Sequence, residues 1–479
     1  MTSRRLVPLA DLDARWGVVP PRVCTDERAI DPPVTRWDAR RLAFYAAPTI
    51  AWYPGNPAPA VYSATGGTLD IGVAMNNAWY AATVGDRALV VYAEETSPRR
   101  VNVVGRSIGS PSSSATWSLT HTTTAGSAEA ATSDGTEYNS VGYPCIAAKR
   151  HPSGRLAVAV AWVGDGAGAA AELWASYRGP DPAGTAWAEV DVAALGGLLR
   201  PLRPCLTMDT ACNAWLVFAA VDAAGDQNIY LSVRPANGDW SIPTQVSTPD
   251  DYVDGARTLT YESADFASIA VSGAADPKGP TVTVVWRVDY GPGTQKRVLG
   301  KSMRVANVRT AGLDISGAPE VDLGGSTECR DPCVVATDNG VFLVFYSAPN
   351  TDSSVCSRYN SDPVTNAWSS EVQVAPFTKR YVQNFANACI DEASGLCLVV
   401  WEETEGGADP QTPFGAYCAL ATLGTWTPLG NLTDLTAYLA GEEGSFPCVV
   451  TSGGAPRLLY ITPGAKGIGE LHWRPGAWR

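Results

Sequence analysis

The sequence Pro332-Cys333-Val334, followed after a turn by the apolar run Val341-Phe-Leu-Val-Phe-Tyr346, decides how this chain folds, because it recurs. The copies of its first part are Pro144-Cys145-Ile146, Pro204-Cys205-Leu206, Pro332-Cys333-Val334, Pro447-Cys448-Val449 and, with one change, Ala388-Cys389-Ile390. The first two cysteines stand 60 residues apart and the last two 59. The 184 residues from Cys205 to Cys389 leave room for two further copies. Cys333 marks one, and Ser268 marks the other, with serine replacing cysteine. Such regular spacing is typical of a repeat fold.

Each marker is followed by a turn and a short apolar run. The other runs are Leu156–Trp162, Ala214–Ala219, Thr281–Trp286, Leu396–Trp401 and Leu458–Ile461. Continuous apolar runs of this length indicate strands buried on both faces. A third strand with Tyr or Trp comes next, and then a turn and a further Trp. One unit therefore contains about four strands.

An earlier, diverged unit begins near Trp79 and contains the strand Ala88–Ala93. The sequence therefore predicts an all-β chain that forms a single β-propeller of about seven four-stranded blades. Shorter repeats would indicate a β-helix, and immunoglobulin-like tandems need roughly 100 residues per unit.

The last unit ends at Arg479, too early for a complete fourth strand. We therefore expect an N-terminal strand, 42–46 or 49–52, to close the ring, because an open propeller would expose a sheet edge. Residues 1–40 are rich in proline and charge and are interpreted as an extended arm, with the propeller spanning 41–479. The blades are expected near 70–125, 142–197, 203–250, 265–325, 331–376, 385–430 and 445–479.

The recurrent proline and cysteine fit the first strand of a blade, which lines the central channel. That strand has one edge without a ladder partner, so proline is tolerated. Cys, Ser and Ala are small enough for the crowded space where blades converge. The cysteines are therefore interpreted as buried packing residues, not as metal ligands.

Composition excludes other classes of function. A formal net charge of -13 disfavours binding to nucleic acid. The cysteines form no CxxC pairs, the three histidines lie in different units, and no nucleotide-binding glycine motif is present, so we expect no metal and no cofactor. No apolar run approaches the roughly 18 residues of a membrane helix, so membrane insertion is not expected. No export signal follows Met1, so the protein is expected to be made in the cytoplasm.

Arginine and tryptophan form a second series along the repeat. The candidate ligand-binding or structural positions are Arg106, Arg178, Arg234, Arg358, Arg474, Trp187, Trp240, Trp368 and Trp426. Arg304 is the expected equivalent in the fourth unit, and Ala421 breaks the series. The arginines form either a ring of ligand-binding cations or, as we favour, structural groups that stack on Trp and bond turn carbonyls.

A polar turn followed by Trp, once per unit, resembles the Asp-box of sialidase-like propellers. The nearest copies are Asn237-Gly-Asp-Trp240 and Ser361-Asp362 leading to Trp368, and both are degenerate. The resemblance implies a propeller, although sialidases have six blades. It would also imply an arginine triad, a Tyr/Glu pair and an Asp acid. The Arg-Ile-Pro motif is absent, and the neighbours Tyr261 and Glu262 would point to opposite faces of a strand.

Acidic residues recur after the second strand of a unit, at Glu94-Glu95, Asp165, Asp222, Asp289 and Glu402-Glu403. Two carboxylates roughly 5–10 Å apart would suit glycoside hydrolysis. Residues that follow a repeat are, however, usually turn residues. We therefore assign no catalytic residue.

Three functions stay open at this point. The favoured one is a non-catalytic binding or assembly module, such as a structural or adhesion (tail or fibre) component of a bacteriophage virion. It would bind other proteins through the N-terminal arm and the propeller face, and a glycan is a further candidate ligand. The alternatives are a sialidase-like glycoside hydrolase and a glycan-binding lectin.

Overall fold

The protein is described by a computed structural model. The structure describes residues 51–53, 69–70 and 79–474, with gaps at 86, 95–100, 108–117, 123–141, 166–170, 181–186, 255–256, 273–278, 292–294, 318, 325–327, 349–353, 363–366, 375–380, 393, 406–407, 433–444, 453–454 and 463–466. The expected arm at 1–40 and the strand candidate at 42–46 lie outside these residues. The described chain is all-β, as predicted, and falls into six sheets.

β1 (Ala51–Tyr53) belongs to the last sheet. Sheet 1 contains β2 (Leu69–Asp70), β3 (Ala81–Val84), β4 (Arg87–Glu94), β5 (Val101–Ser107) and β6 (Ser118–Thr122). Sheet 2 contains β7 (Gly142–Arg150), β8 (Leu156–Asp165), β9 (Ala171–Arg178) and β10 (Ala188–Asp191). A short helix, α1 (Val192–Leu195), follows β10 and is capped by the Asp191 carboxylate.

Sheet 3 has ten strands in two halves. Half 3a contains β11 (Leu199–Met208), β12 (Ala214–Val221), β13 (Gln227–Arg234) and β14 (Thr244–Gln245). Half 3b contains β15 (Tyr252–Asp254), β16 (Arg257–Val271), β17 (Thr281–Gly291), β18 (Gln295–Arg309), β19 (Gly312–Gly317) and β20 (Val321–Asp322). The halves join through the parallel pair of Gln227 with Ser263.

Sheet 4 contains β21 (Arg330–Ala336), β22 (Phe342–Ala348), β23 (Ser354–Asn360) and β24 (Val372–Gln373). Sheet 5 contains β25 (Tyr381–Asp391), β26 (Leu396–Glu405), β27 (Ala408–Ala419) and β28 (Thr427–Asn431), with a 3-10 turn at Leu420–Thr422. Sheet 6 contains β29 (Ser445–Ser452), β30 (Ala455–Thr462) and β31 (Gly467–Arg474), together with β1. No helix in the described ranges is long and apolar enough to cross a membrane.

The sheets are arranged as a propeller. We call the strands that contact each other from sheet to sheet the inner strands. In order of contact they are β3, β7, β11, β16, β21, β25 and β29, and β29 contacts β3 again. Sheets 2, 4, 5 and 6 are four-stranded antiparallel blades with the inner strand at one edge.

The second strands form the core between the sheets. In β12, every residue from Ala214 to Ala220 is buried. Trp162, Trp215, Trp286 and Trp401, one on each of four second strands, are among the largest fully buried side chains. Where the structure describes their side chains, as in β8, β12, β17 and β26, the apolar runs are buried, which confirms the interpretation of the sequence.

The N-terminal region completes the last sheet. Ala51 pairs with Arg474 and Tyr53 with His472 in an antiparallel ladder. This strand overlaps the second predicted candidate, 49–52, and is displaced from it toward the C-terminus. Because β1 is the edge strand farthest from β29, the chain joins the propeller at its perimeter.

Each inner strand from β7 onward is bulged just before its marker residue. The irregularity lies between Gly142 and Cys145 in β7, and equivalent irregularities precede Cys205, Ser268, Cys333 and Cys448. In β25 the irregularity lies between Asn384 and Asn387. The predicted marker Cys389 is therefore wrong by two residues. Asn387 takes the place of the cysteine, and Ala386 takes that of the proline.

The marker side chains have a role beyond packing. Each one accepts a hydrogen bond from the backbone N–H of the residue after the marker in the next sheet. The pairs are Leu206 to Cys145, Ile269 to Cys205, Val334 to Ser268, Ala388 to Cys333, Val449 to Asn387 and Ala81 to Cys448. The distances at Ser268 Oγ and Asn387 Oδ1 are 3.1 and 3.0 Å. Between sheets 1 and 2 the backbone carbonyl of Trp79 accepts from Ile146 instead, at 2.8 Å.

These inner-ring links explain which residues the marker position accepts. An inner strand has no further strand on its axial side, so its amides there need other acceptors. A buried N–H left without one costs roughly 1–3 kcal/mol. Cys, Ser and Asn are small and carry an acceptor, and the preceding proline has no N–H to satisfy.

The inner-ring links predict that serine replaces Cys333 with less loss of stability than alanine does. Cys333→Ser keeps an acceptor for the Ala388 N–H, whereas Cys333→Ala removes it. We therefore expect the serine variant to be more stable by about 1 kcal/mol in urea denaturation. Cys418, buried opposite Cys397 on the neighbouring strand, serves as the control. There the thiol faces the thiol of Cys397 and not a backbone N–H, so serine should have no advantage over alanine. A less stable Cys333→Ser variant would show that the thiol only fills space.

Candidate functional site

The bulges hold a series of side chains that differs from sheet to sheet. The residue two before each marker has a positive φ, which is uncommon for residues other than glycine. These residues are Tyr143 (φ 53°), Arg203 (46°), Phe266 (53°), Asp331 (50°) and Phe385 (53°). The backbone distortion is part of the repeat, but the side chain that it presents is not. This end of the inner strands is therefore where the chain departs from its own pattern.

Arg203 and Phe266 form the centre of this region. The Arg203 guanidinium lies 4.1 Å from the Phe266 ring centroid and 5.6 Å from that of Tyr143. It also forms an ion pair with Asp265 on the neighbouring inner strand. Arg203 thus lies over two aromatic rings, an arrangement that suits its planar, delocalised charge.

Arg287 approaches Phe266 from the second strand of half 3b. Its guanidinium lies 4.2 Å from the ring centroid, and its Nε is 2.9 Å from Asp289 Oδ1. Asp265 and Arg287 are direct cross-strand partners. The long strands β16 and β17 therefore position both groups on rigid backbone, which favours precise geometry.

Asp331 is the most perturbed carboxyl group of the region. Its side chain is buried, and burial raises its pKa to about 6, although Arg287, Arg330, Lys296 and Arg203 lower it. Burial also raises the pKa of Asp265, against the effect of Arg203. Desolvation thus outweighs the neighbouring cations at both groups.

We call these groups together the rim cluster. It consists of Tyr143, Arg203, Asp265, Phe266, Arg287, Asp289, Lys296, Glu328, Arg330 and Asp331. Planar guanidinium donors, carboxylate acceptors and aromatic rings are the groups that hold a polar ligand in one orientation. Among the residues that the structure describes, no group of three or more His, Cys, Asp or Glu is arranged to hold a metal ion.

The repeated residues do not predict the rim cluster. Its signal is the residue directly before the Pro or Ala of each marker, which is aromatic at Tyr143, Phe266, Phe385 and Phe446 but charged at Arg203 and Asp331. A position that varies inside an otherwise regular segment points to a ligand-specific role.

Three of the predicted arginine and tryptophan side chains contact a neighbouring sheet. The Arg234 guanidinium lies 4.2 Å from the Tyr177 ring of sheet 2, and not on a Trp as expected. Trp187 stacks on His121 of sheet 1 at 4.2 Å. The Trp426 indole N–H donates to Ser357 of sheet 4 at 2.8 Å.

The other predicted positions lie in strands, at strand ends or in the loops that follow them. Arg358 donates to the Ser369 carbonyl, in the loop between β23 and β24, at 3.5 Å. Trp240 is buried, Trp368 is partly buried against the core, and Arg178 ends β9. Arg106 and Arg474 lie in β5 and β31. None of the predicted positions belongs to the rim cluster, and whether any of them binds a ligand stays a prediction.

Of the acidic residues that were interpreted as turn residues, some lie in a turn and others lie in strands. Asp222 is a turn residue, because its Oδ1 accepts from the backbone N–H groups of Ala224 and Asp226. The interpretation is wrong for Glu402 and Glu403, which lie within β26 with exposed fractions of 2% and 5%. It is also wrong for Asp289, which lies within β17 and belongs to the rim cluster.

In the pair of Tyr261 and Glu262, the tyrosine hydroxyl is used to join two strands. The Tyr261 hydroxyl donates to the Gln227 carbonyl at 2.6 Å and lies 3.0 Å from Asn228 Oδ1. Burial raises the pKa of Tyr261. Tyr261 therefore links half 3b to half 3a.

Comparison with known proteins places the chain among distant neighbours. No protein-family profile and no curated protein sequence matches it. Among solved structures, a polysaccharide lyase of family PL25, an ulvan lyase, has a TM-score of 0.49 at 9% identity over 84% of this chain and 93% of its own. Trypanosoma rangeli sialidase has a TM-score of 0.43 at 12% identity, covering 89% of this chain and 58% of its own.

A Dyadobacter fermentans protein of unknown function is similar at a TM-score of 0.43 and 11% identity, over 71% of this chain and 96% of its own. Sialidases are thus among the structural neighbours, as the Asp-box resemblance implied. With TM-scores below 0.5, nothing about the activity of this chain follows from these likenesses. The fold defines the class, a β-propeller protein.

The raised pKa of Asp331 predicts a pH-dependent stability. Because the folded state holds this proton more tightly than the unfolded chain, the free energy of unfolding should fall as pH rises from about 4 to about 6. The contribution is up to about 3 kcal/mol. In urea denaturation at several pH values, Asp331→Asn should remove this part of the slope. An unchanged slope in the variant would contradict the assignment.

Proposed function

We propose that this chain is a non-catalytic, seven-bladed β-propeller that binds a carbohydrate at the rim cluster. The observation that carries the proposal is that guanidinium, carboxylate and aromatic groups meet at the bulged ends of the inner strands, where Tyr143, Arg203, Phe266 and Asp331 occupy equivalent positions. A structural motif would repeat. A binding site built on a propeller uses the positions that the repeat leaves free.

The count of seven blades is supported by the inner strands. Their contacts run from β3 through β29 and return to β3, with each half of sheet 3 contributing one inner strand. Both halves have their own bulge and marker, at Cys205 and Ser268. The single parallel pair between them is a local contact at one end, and so each half is counted as a blade.

Carbohydrate binding suits the chemistry of the rim cluster. Sugar hydroxyls donate and accept hydrogen bonds, and guanidinium and carboxylate groups supply the complementary partners side by side. The aromatic rings hold Arg203 and Arg287 in fixed planes, so that little side-chain entropy is lost on binding.

A glycan array followed by calorimetry tests the proposal. Wild-type protein should bind at least one class of oligosaccharide, and Arg287→Gln should weaken that binding at least about tenfold, because a charged hydrogen-bond donor is lost. Arg309→Gln, on the exposed end of β18, serves as the matched control and should leave affinity unchanged. Absence of binding to every glycan, or equal loss in both variants, would refute the proposal.

Glycoside cleavage is the second candidate, and one observation favours it. The pKa of Asp331, raised to about 6 by burial, suits a group that gives and takes a proton near neutral pH. The test is whether the wild-type protein hydrolyses chromogenic glycosides. If it does, and if Asp331→Asn abolishes the hydrolysis, then the function is catalysis and not binding alone. No turnover in wild type would leave binding alone.

We further propose that the protein serves as a structural or adhesion component of a virion, attached to other proteins through its N-terminal arm. In support, β1 lies at the perimeter of the propeller, as the edge strand farthest from β29. A protease should then cut residues 1–40 readily in the isolated monomer. An arm that resists cleavage in the monomer would count against this role.

A further inference from the structure

We infer that the rim cluster selects uncharged, hydroxyl-rich saccharides and discriminates against carboxylated and sulfated ones. This inference rests on the proposed function of the same site. It follows from how the arginines are paired, since a cluster of arginines alone would suggest the opposite preference.

Each rim-cluster arginine already has a carboxylate partner. Arg203 pairs with Asp265, Arg287 Nε is 2.9 Å from Asp289 Oδ1, and Arg330 is 3.0 Å from Glu328 Oε2. A fourth ion pair joins Arg297 on β18 to Asp322 on β20, at 3.6 Å. An anionic ligand would have to compete with these carboxylates for the guanidinium groups.

The pair of Arg203 with Asp265 is too buried to be separated by a competing anion. The side chains of Arg203 and Asp265 expose 17% and 7% of their surface. Separating a buried pair leaves an uncompensated charge, which costs several kcal/mol. The Asp265 carboxylate therefore stays beside Arg203 and repels an incoming anion.

The charges of the rim cluster balance. Its cations are Arg203, Arg287, Lys296 and Arg330, and its carboxylates are Asp265, Asp289, Glu328 and Asp331. Four positive and four negative groups give no net charge when all are ionised. The chain as a whole carries -13, so no long-range attraction draws an anion to the site.

The mixture of donors and acceptors fits a hydroxyl group. A hydroxyl both donates and accepts, and it can bridge a guanidinium N–H and a neighbouring carboxylate oxygen. Sulfate and carboxylate groups only accept. Vicinal hydroxyls of a neutral saccharide therefore satisfy both members of each pair without separating them.

Calorimetry with matched oligosaccharides tests the inference at pH 7.5. The probes are neutral glucose and mannose hexasaccharides, a galacturonic acid hexasaccharide and a sulfated galactose hexasaccharide. Wild type should bind a neutral probe at least about tenfold more tightly than either acidic one. Its affinity for the neutral probe should change little between low and high salt, because no ion pair with the ligand is screened.

Removal of one carboxylate should weaken or abolish the preference for the neutral probe. Asp265→Asn frees Arg203, and Asp289→Asn, with a more exposed side chain, frees Arg287. In each variant the affinity for the acidic probes should rise about tenfold or more, while Asp314→Asn, an exposed control on β19, changes nothing.

The outcomes distinguish a failure of the selectivity for neutral saccharides from a failure of carbohydrate binding itself. Wild type that binds acidic probes as tightly as neutral ones overturns the neutral selectivity but keeps carbohydrate binding. Wild type that binds no probe, and no glycan on an array, overturns both. Variants that fold, as judged by circular dichroism, but gain no acidic binding also overturn the selectivity.

Discussion

An inner strand of this propeller has amide groups on its axial side with no strand to pair with, and the rest of the architecture depends on how they are satisfied. The structure solves the problem with the side chain of the preceding sheet. The thiol of Cys333, the hydroxyl of Ser268 and the amide of Asn387 each accept from a backbone N–H of the next inner strand. Because every acceptor belongs to one sheet and every donor to the next, the same contact both satisfies the strand and sets the spacing of the sheets.

This constraint separates scaffold from site along the repeat. The marker must be small and must carry an acceptor, and the residue before it is best without an N–H. The residue one step earlier lies on the bulge and meets no such requirement. There the chain places Tyr143, Arg203, Phe266 and Asp331 in turn. The proposed site therefore lies where the repeat constrains the backbone but not the side chain.

The strands of the propeller can be predicted well from the sequence, because burial and strand period leave local patterns of apolar residues. The apolar runs became the second strands, and the short final unit indicated the N-terminal strand that pairs through Ala51–Tyr53. The equivalence of Asn387 with cysteine was missed, because asparagine resembles cysteine only as a small acceptor. Glu402 and Glu403 were assigned to a turn, because nothing local shows that β26 runs on through Glu405.

The site was harder to predict, because its groups come from separate blades. Arg203, Phe266 and Asp331 are more than 60 residues apart in sequence and meet only through the curvature of the ring. Their pairing with Asp265 and Asp289 decides the character of the site. An arginine count alone would suggest an anion site, whereas the ion pairs indicate a neutral one.

Native-state hydrogen exchange can show whether the marker side chains protect the amides of the next inner strand. The amides of Val334 and Val449, which donate to Ser268 and Asn387, should exchange only through global unfolding. In Ser268→Ala the protection of Val334 should fall by about tenfold or more, and that of Val449 should fall only as far as global stability does. Exchange of Val334 at the rate of exposed loops in the wild-type protein would contradict the account.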